Sequence, residues 1–182
     1  MTFKLSILIL SFLFFSCNQQ QSSETKPNET TEAITIEDQD KPKTDSCGCE
    51  TTVYLNDPDT NGTNVRDVPN GKIIKKLKYE SDCLCLIVEI VSAQKDWLEL
   101  KDGGWVYAPL FAVGSRNYGE QNKLYLNETA SEESKTTAEY LDEQEFTVLG
   151  CSGTWLYVKG KDGKKGWLTQ NMQCPNPLTT CP

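Results

Sequence analysis

The 182-residue chain contains no histidine. That absence removes Cys-His and Ser-His-Asp nucleophilic sites. It also removes most catalytic zinc sites, which use at least one histidine. Positive charge is scarce: 18 Lys and Arg against 26 Asp and Glu leave a net charge of −8. A basic footprint for nucleic acid is missing, and charge alone does not draw the chain to anionic lipid. The longest apolar run, LSILILSFLFF at 5–15, is shorter than the ~20 residues a spanning helix needs. Acidic residues remain as possible acid-base pairs, as in glycosidases. They lie in turns, strand ends and a polar N-terminal segment, and no apolar run frames two of them. The chain is expected not to be an enzyme, and no cofactor or metal is expected.

What is present begins with an address. Lys4 precedes the apolar run, and Ser16-Cys17 follows it, after which the composition turns polar. This order fits a signal peptide. A small residue and then cysteine at the end of such a run resembles the bacterial lipoprotein signal, in which the cysteine is lipidated and becomes the new N-terminus. Phe14 and Phe15 stand where that signal has an aliphatic and then a small residue. The resemblance implies residues 1–17 as signal and lipidation site, with Cys17 carrying the acyl anchor. It implies export to the cell envelope, in the periplasm or at the outer membrane. Residues 18–46 are rich in Gln, Ser, Thr, Glu, Lys and Pro and contain no aromatic residue. Such a segment cannot bury enough apolar surface to offset its chain entropy, so a disordered tether is expected. As a coil of about 30 residues it would span roughly 30 Å.

From Cys47 onward the chain reads as short strands separated by turn residues. TVYL (52–55), KIIKKL (72–77), CLCLIVEIV (83–91), WLELK (97–101) and WVYAPLF (105–111) are the strands of a first set. No window shows a helical period. A second set echoes the first: KLYLNE (123–128) echoes TVYLND, and EFTVLGC (145–151) echoes CLCLIVEIV. TWLYVKGKDGKKGWL (154–168) echoes DWLELKDGGWVYAPL. Trp97 then corresponds to Trp155, and Gly104-Trp105 to Gly166-Trp167. A duplication of about 60 residues follows. Its seam falls in AVGSRNYGEQN (112–122).

Asn64-Val65-Arg66, Pro69, a strand carrying Trp97, and Gly104-Trp105-Val106 together resemble a bacterial Src homology 3 (SH3b) domain. The resemblance implies an all-β fold of two tandem small SH3-like barrels. Residues 47–113 are the first barrel, 114–122 a linker, and 123–182 a second, divergent barrel with a cysteine-rich tail. In the second copy ETASEES (128–134) replaces the NVR region. Papain-like wall peptidases carry such barrels as accessory domains. Here the resemblance implies a non-catalytic module that binds a peptidoglycan peptide or an envelope protein. A structural subunit of an envelope complex, or an inhibitor or immunity-type lipoprotein, are the alternatives.

Asp57, Asp59, Asn61 and Gly62 match the opening of a calcium loop. The final bidentate carboxylate of such a loop would fall at Val68, and strands rather than helices flank the segment. A polar turn closed by local Asx-type bonds is the expectation.

The chain has eight cysteines. In an exported protein, disulfides are the first reading for Cys47, Cys49, Cys83, Cys85, Cys151, Cys174 and Cys181. Residues i and i+2 of a strand share a face, so Cys47-Gly48-Cys49 and Cys83-Leu84-Cys85 are expected to form two parallel bridges. A four-thiolate zinc site is the rival. Cys174 and Cys181 could close their own short loop, or Cys151 could tie either of them to the second barrel. One thiol is left over, free or paired between the domains.

Among the aromatic residues, Tyr54, Trp97, Tyr107, Tyr125 and Trp155 are the candidates for a ligand groove. Aromatic grooves serve peptide binding in eukaryotic relatives of the fold. Trp105 and Trp167, in closing strands, are expected to pack structurally.

Overall fold

Alternation does most of the local work. In Trp97-Leu98-Glu99-Leu100 the two leucines are buried and Trp97 and Glu99 point outward. Leu156 and Val158 repeat the arrangement between Trp155, Tyr157 and Lys159. Successive side chains of a strand face opposite sides, so such a pattern buries one face of a sheet.

The computed structural model of the chain describes residues 47–79, 85–118 and 123–181. The signal segment, the tether, Cys17 and Cys83 lie outside the described residues, as do the side chain of Cys47 and part of the expected linker. The architecture is all-β, with strands β1 Cys47–Leu55, β2 Thr63–Arg66, β3 Ile73–Leu77, β4 Ile87–Gln94, β5 Trp97–Leu100, β6 Trp105–Tyr107 and β7 Phe111–Ser115. They are followed by β8 Leu124–Asn127, β9 Thr136–Tyr140, β10 Glu145–Ser152, β11 Trp155–Lys159, β12 Lys165–Leu168 and β13 Gln173–Cys174. Short 3-10 turns at Ala108–Leu110 and Gln170–Met172 precede β7 and β13. The strands join in one path, β3-β2-β6-β5-β4-β1-β7-β10-β11-β12-β8-β9, with β13 beside β7. The described residues fall in one compact unit.

Strand pairing fixes how the two halves correspond. Arg66 of β2 lies opposite Trp105 of β6, and Asn127 of β8 opposite Trp167 of β12. Hence KLYLN occupies the place of TNVR, not the place of TVYL. The bulge between Val65 and Arg66 recurs between Leu126 and Asn127. The place of TVYL in the second half belongs to β7. That strand pairs with β10 as β1 pairs with β4. It pairs with β13 as β1 pairs with β7. Thus β7 closes the first half and opens the second, and the sequence boundary at 113/114 falls inside it. The NVR step therefore has a counterpart, Tyr125-Leu126-Asn127, and Asp57 at the start of the DPDTNG loop corresponds to Asn117. Backbone bonds agree: Asn56 N–H donates to Leu110 O, and Arg116 N–H to Met172 O.

The repeated glycine before tryptophan has a steric cause. A Cβ on Gly104 would meet Val65 Cγ1 at 2.5 Å, and one on Gly166 would meet Leu126 Cβ at 2.7 Å. Both hairpins pass too close under the NVR-type strand to admit a side chain. The core runs through both halves: Val53, Leu98, Val106, Phe111, Val113, Leu126, Phe146 and Leu156 are all fully buried in one cluster.

The disulfides differ from the expected pair of parallel C-x-C bridges. Cys49 is bonded to Cys151, across the two halves and 102 residues apart in sequence. Beside that bond, Glu50 N–H donates to Gly153 O and Gly153 N–H to Gly48 O. Cys174 and Cys181 close their own loop. Cys85 is disulfide-bonded too.

Candidate functional site

The DPDTNG loop bonds to itself. Asp57 Oδ1 accepts the Asp59 N–H, and its other oxygen accepts the Thr63 hydroxyl. Asp59 Oδ1 accepts both the backbone and side-chain N–H groups of Asn61, at 2.9 and 2.8 Å. These bonds hold the Asp59 carboxyl below its usual range. Gly62 closes the turn at φ +92, where a Cβ would strike Leu77 O. The Tyr79 hydroxyl donates to Asp57 O and pins the loop to the end of β3.

So fixed, the loop forms one wall of a groove of about 340 Å³. Asp57, Asp59 and Asn64 line that side, and Arg66, Trp97 and Tyr107 line the other. Trp97 and Tyr107 face each other across β5 and β6, their rings edge to face with centroids 5.7 Å apart. Such pairs form rigid amphipathic contact surfaces. The Arg66 guanidinium sits 5.8 Å from the Trp97 ring centre and donates to Gly71 O. Asn64 Oδ1 is buried and has no hydrogen-bond partner among the described residues. A buried acceptor left unpaired is costly, so the groove wall is one donor short.

The five aromatic candidates do not share one site. Trp97 and Tyr107 form the groove. Tyr54 is buried in β1 and donates its hydroxyl to Glu145 at 3.0 Å. Burial first, and then the Glu145 charge, push that phenol well above the usual tyrosine range. Tyr125 is exposed on β8 at the register position of Asn64, and Trp155 stands at that of Trp97. Among the described residues, uncharged Asn117 and Asn127 hold the places of Asp57 and Arg66, and Thr169 holds that of Tyr107. Trp105 is 7% exposed and packs structurally, whereas Trp167 is half-buried beside Tyr157 at 5.2 Å.

A larger recess of about 720 Å³ lies between the halves, lined by Thr51, Glu89, Lys101, Arg116 and Gln173 among others. Much of its polar lining is already engaged. Thr51 donates to Gln173 Oε1, and Gln173 Nε2 donates to Thr154 O and Leu168 O. Glu89 is paired with Lys101. This recess reads as a braced junction.

No protein-family model matches the chain, and no curated protein matches it. Among solved structures, NlpC2 from Trichomonas vaginalis is similar at a TM-score of 0.30 and 12% identity, over 68% of this chain and 48% of that one. NlpC1 from Trichomonas vaginalis is similar at 0.31 and 11%, over 68% of this chain and 45% of that one. The chain spans less than half of either structure. A likeness at these scores carries no argument.

The sequence singled out Asn64, Arg66, Asp57 and Asp59 as parts of a motif and a turn, not as one wall with Trp97. Only the strand order brings β2 beside β6, and hence Arg66 against Trp97.

Proposed function

We propose that this chain is a non-catalytic module of the bacterial cell envelope. It consists of two SH3-like halves sharing one strand, anchored to a membrane by lipid on Cys17. It binds an extended peptide, from the wall or from an envelope protein, in the groove of the first half. The observation that carries the reading is that groove: an aromatic pair, one arginine and two aspartates around about 340 Å³. It sets one rigid aromatic pair among oriented charged and polar groups, a combination suited to holding a polar peptide backbone against an aromatic face. The order of elements supports an SH3-like plan in each half: strand, polar loop, NVR-type strand, hairpin, W strand, GW strand, 3-10 turn and closing strand. The lack of histidine supports a binding rather than a catalytic role.

The test is calorimetry of the full chain with soluble peptidoglycan peptides at low salt. Trp97→Ala should weaken binding by about thirtyfold, the scale of a hot-spot aromatic, with an unchanged circular dichroism spectrum. Trp155→Ala should bind like the parent. Absence of binding by the parent chain would remove the wall-peptide reading. A tight protein partner recovered instead would favour the accessory-subunit or inhibitor alternative. The neutral groove positions of the second half favour bracing as that half's own role.

A further inference from the structure

We infer that the first half has a second docking site, the open seam beside β3, and that it takes an extended partner segment alternating apolar and acidic residues. It goes beyond the aromatic groove and uses different residues.

The inference comes from comparing equivalent seams. β3 and β9 end the strand path, so each presents a backbone edge with no strand partner among the described residues. Their registers match: Leu77 lies opposite Thr63, and Tyr140 opposite Leu124. Across the seam, Val88 lies opposite Val53, and Phe146 opposite Val113. Leu77 and Val88 are therefore the counterparts of Tyr140 and Phe146.

In the second half those aromatics close the seam. The Tyr140 and Phe146 rings meet edge to face at 5.5 Å. The Tyr140 hydroxyl donates to Asp162 at 2.9 Å, and Lys164 lies over its ring. Thr137 donates to Lys165 O. In the first half an aliphatic pair stands in their place, and both residues line a groove of about 390 Å³. Its floor includes Leu77, Leu86, Ile87 and Val88, with Lys75 on the β3 side. Lys75 is exposed where the second half buries Ala138. Ile73 and Ile74 of the same strand are 51% and 55% exposed.

Charge selects the occupant. Lys72, Lys75, Lys76 and Lys78 cluster on and beside β3, and none forms an ion pair among the described residues. On the far side of the groove Glu89 and Lys101 pair with each other and Asp102 keeps its charge, so the positive charge lies along the β3 side. Lysines on an edge discourage pairing with a second copy of the same edge. They leave the edge open to a strand of opposite charge. A segment added there would gain main-chain bonds to β3, apolar contacts to the floor and ion pairs to the lysines, the mode known as strand addition.

The test uses the full chain labelled with nitrogen-15 and a short synthetic peptide alternating Glu and Val. A peptide alternating Lys and Val is the control. The Glu-Val peptide should move the amide signals of residues 73–77 and 87–88, and the Lys-Val peptide should not. Lys76 is exposed on the face opposite the floor, where the glutamates of such a peptide would point. Lys76→Glu should weaken binding about fivefold. Leu77→Tyr with Val88→Phe should close the seam and abolish binding. If the second variant fails to fold, Lys76→Glu alone decides. Unmoved β3 signals, equal binding of the Lys-Val peptide, or undiminished binding by Lys76→Glu would each overturn the inference. Shifts confined to Asn64, Arg66 and Trp97 would do so too, while leaving the aromatic groove intact.

Discussion

Among the described residues, a groove lies beside β3 and an aromatic pair packs beside β9, although the two strands hold equivalent places. Two aromatic side chains mark the difference: Tyr140 and Phe146 pack edge to face, and smaller Leu77 and Val88 hold their places beside a groove. The loops diverge in the same direction. The first half keeps Asp57, Arg66 and Tyr107 around Trp97, and the second has Asn117, Asn127 and Thr169 around Trp155. One plan therefore yields a first half with charge beside its tryptophan and a second half in which the counterparts of Asp57 and Arg66 are uncharged. The shared strand β7 and the Cys49–Cys151 bond hold the two together.

The largest expected effect breaks what the halves share. Val113 is fully buried in β7 and packs in the common core. Val113→Asp places an unpaired charge there, which costs several kcal/mol. Loss of folding is expected, with the fluorescence of both tryptophan sets changing together. Survival of one set of native signals would separate the halves. Next comes the cross-half disulfide. Replacing Cys49 and Cys151 by serine should cost about 4–5 kcal/mol, because the bond closes a loop on the order of 100 residues. Opening Cys174–Cys181 should cost about 2–3 kcal/mol by the same chain-entropy argument. Urea midpoints of the two variants would rank them, and the reverse order would contradict the assigned roles.

These effects mark how far the sequence could be read. The W hairpins were legible because Trp97-Leu98-Glu99-Leu100 and its echo alternate cleanly. β2, β9 and β13 were not legible. TNVR is short and half polar, TTAEY lacks large apolar residues, and Gln173-Cys174 pairs only with β7. The sharing of β7 is a long-range pairing that no local pattern encodes. It also displaced the alignment of KLYLNE, which looks like TVYLND yet folds in place of TNVR. Cys49 illustrates the same limit. Its spacing from Cys47 suggested a bridge within the first half, but the register of β1 brings it beside Gly153, next to Cys151. In the groove, the motif letters were visible and their meeting with Trp97 was not.

Smaller effects sharpen the comparison of the loops and seams. Asp57→Ala removes the acceptor for the Asp59 N–H and the buried Thr63 hydroxyl. A loss of about 1–3 kcal/mol is expected. Asn117→Ala, the counterpart in the second half, removes the acceptor for the buried Ser115 hydroxyl and a long bond to Leu141 O, so a loss of similar size is expected. The seam closure has a signature at high pH. Burial, and then the bond and charge of Asp162, push the Tyr140 phenol up to about 12. The folded state holds that proton more tightly than the unfolded chain does. The contribution is therefore complete below about pH 10 and is lost as the pH rises towards 12. Tyr54 acts in the same direction. Denaturant titrations across that range should show a shallower fall in stability for Tyr140→Phe, and an unchanged slope would remove Tyr140 from the account.

The central claim is that two specialised halves fold as one body through β7. Chemical denaturation of the full chain, followed by the indole signals of Trp97, Trp105, Trp155 and Trp167, tests it most directly. Coincident loss of all four at one midpoint is the predicted result, as cooperative unfolding requires. Separate midpoints for Trp97 with Trp105 and for Trp155 with Trp167 would contradict it.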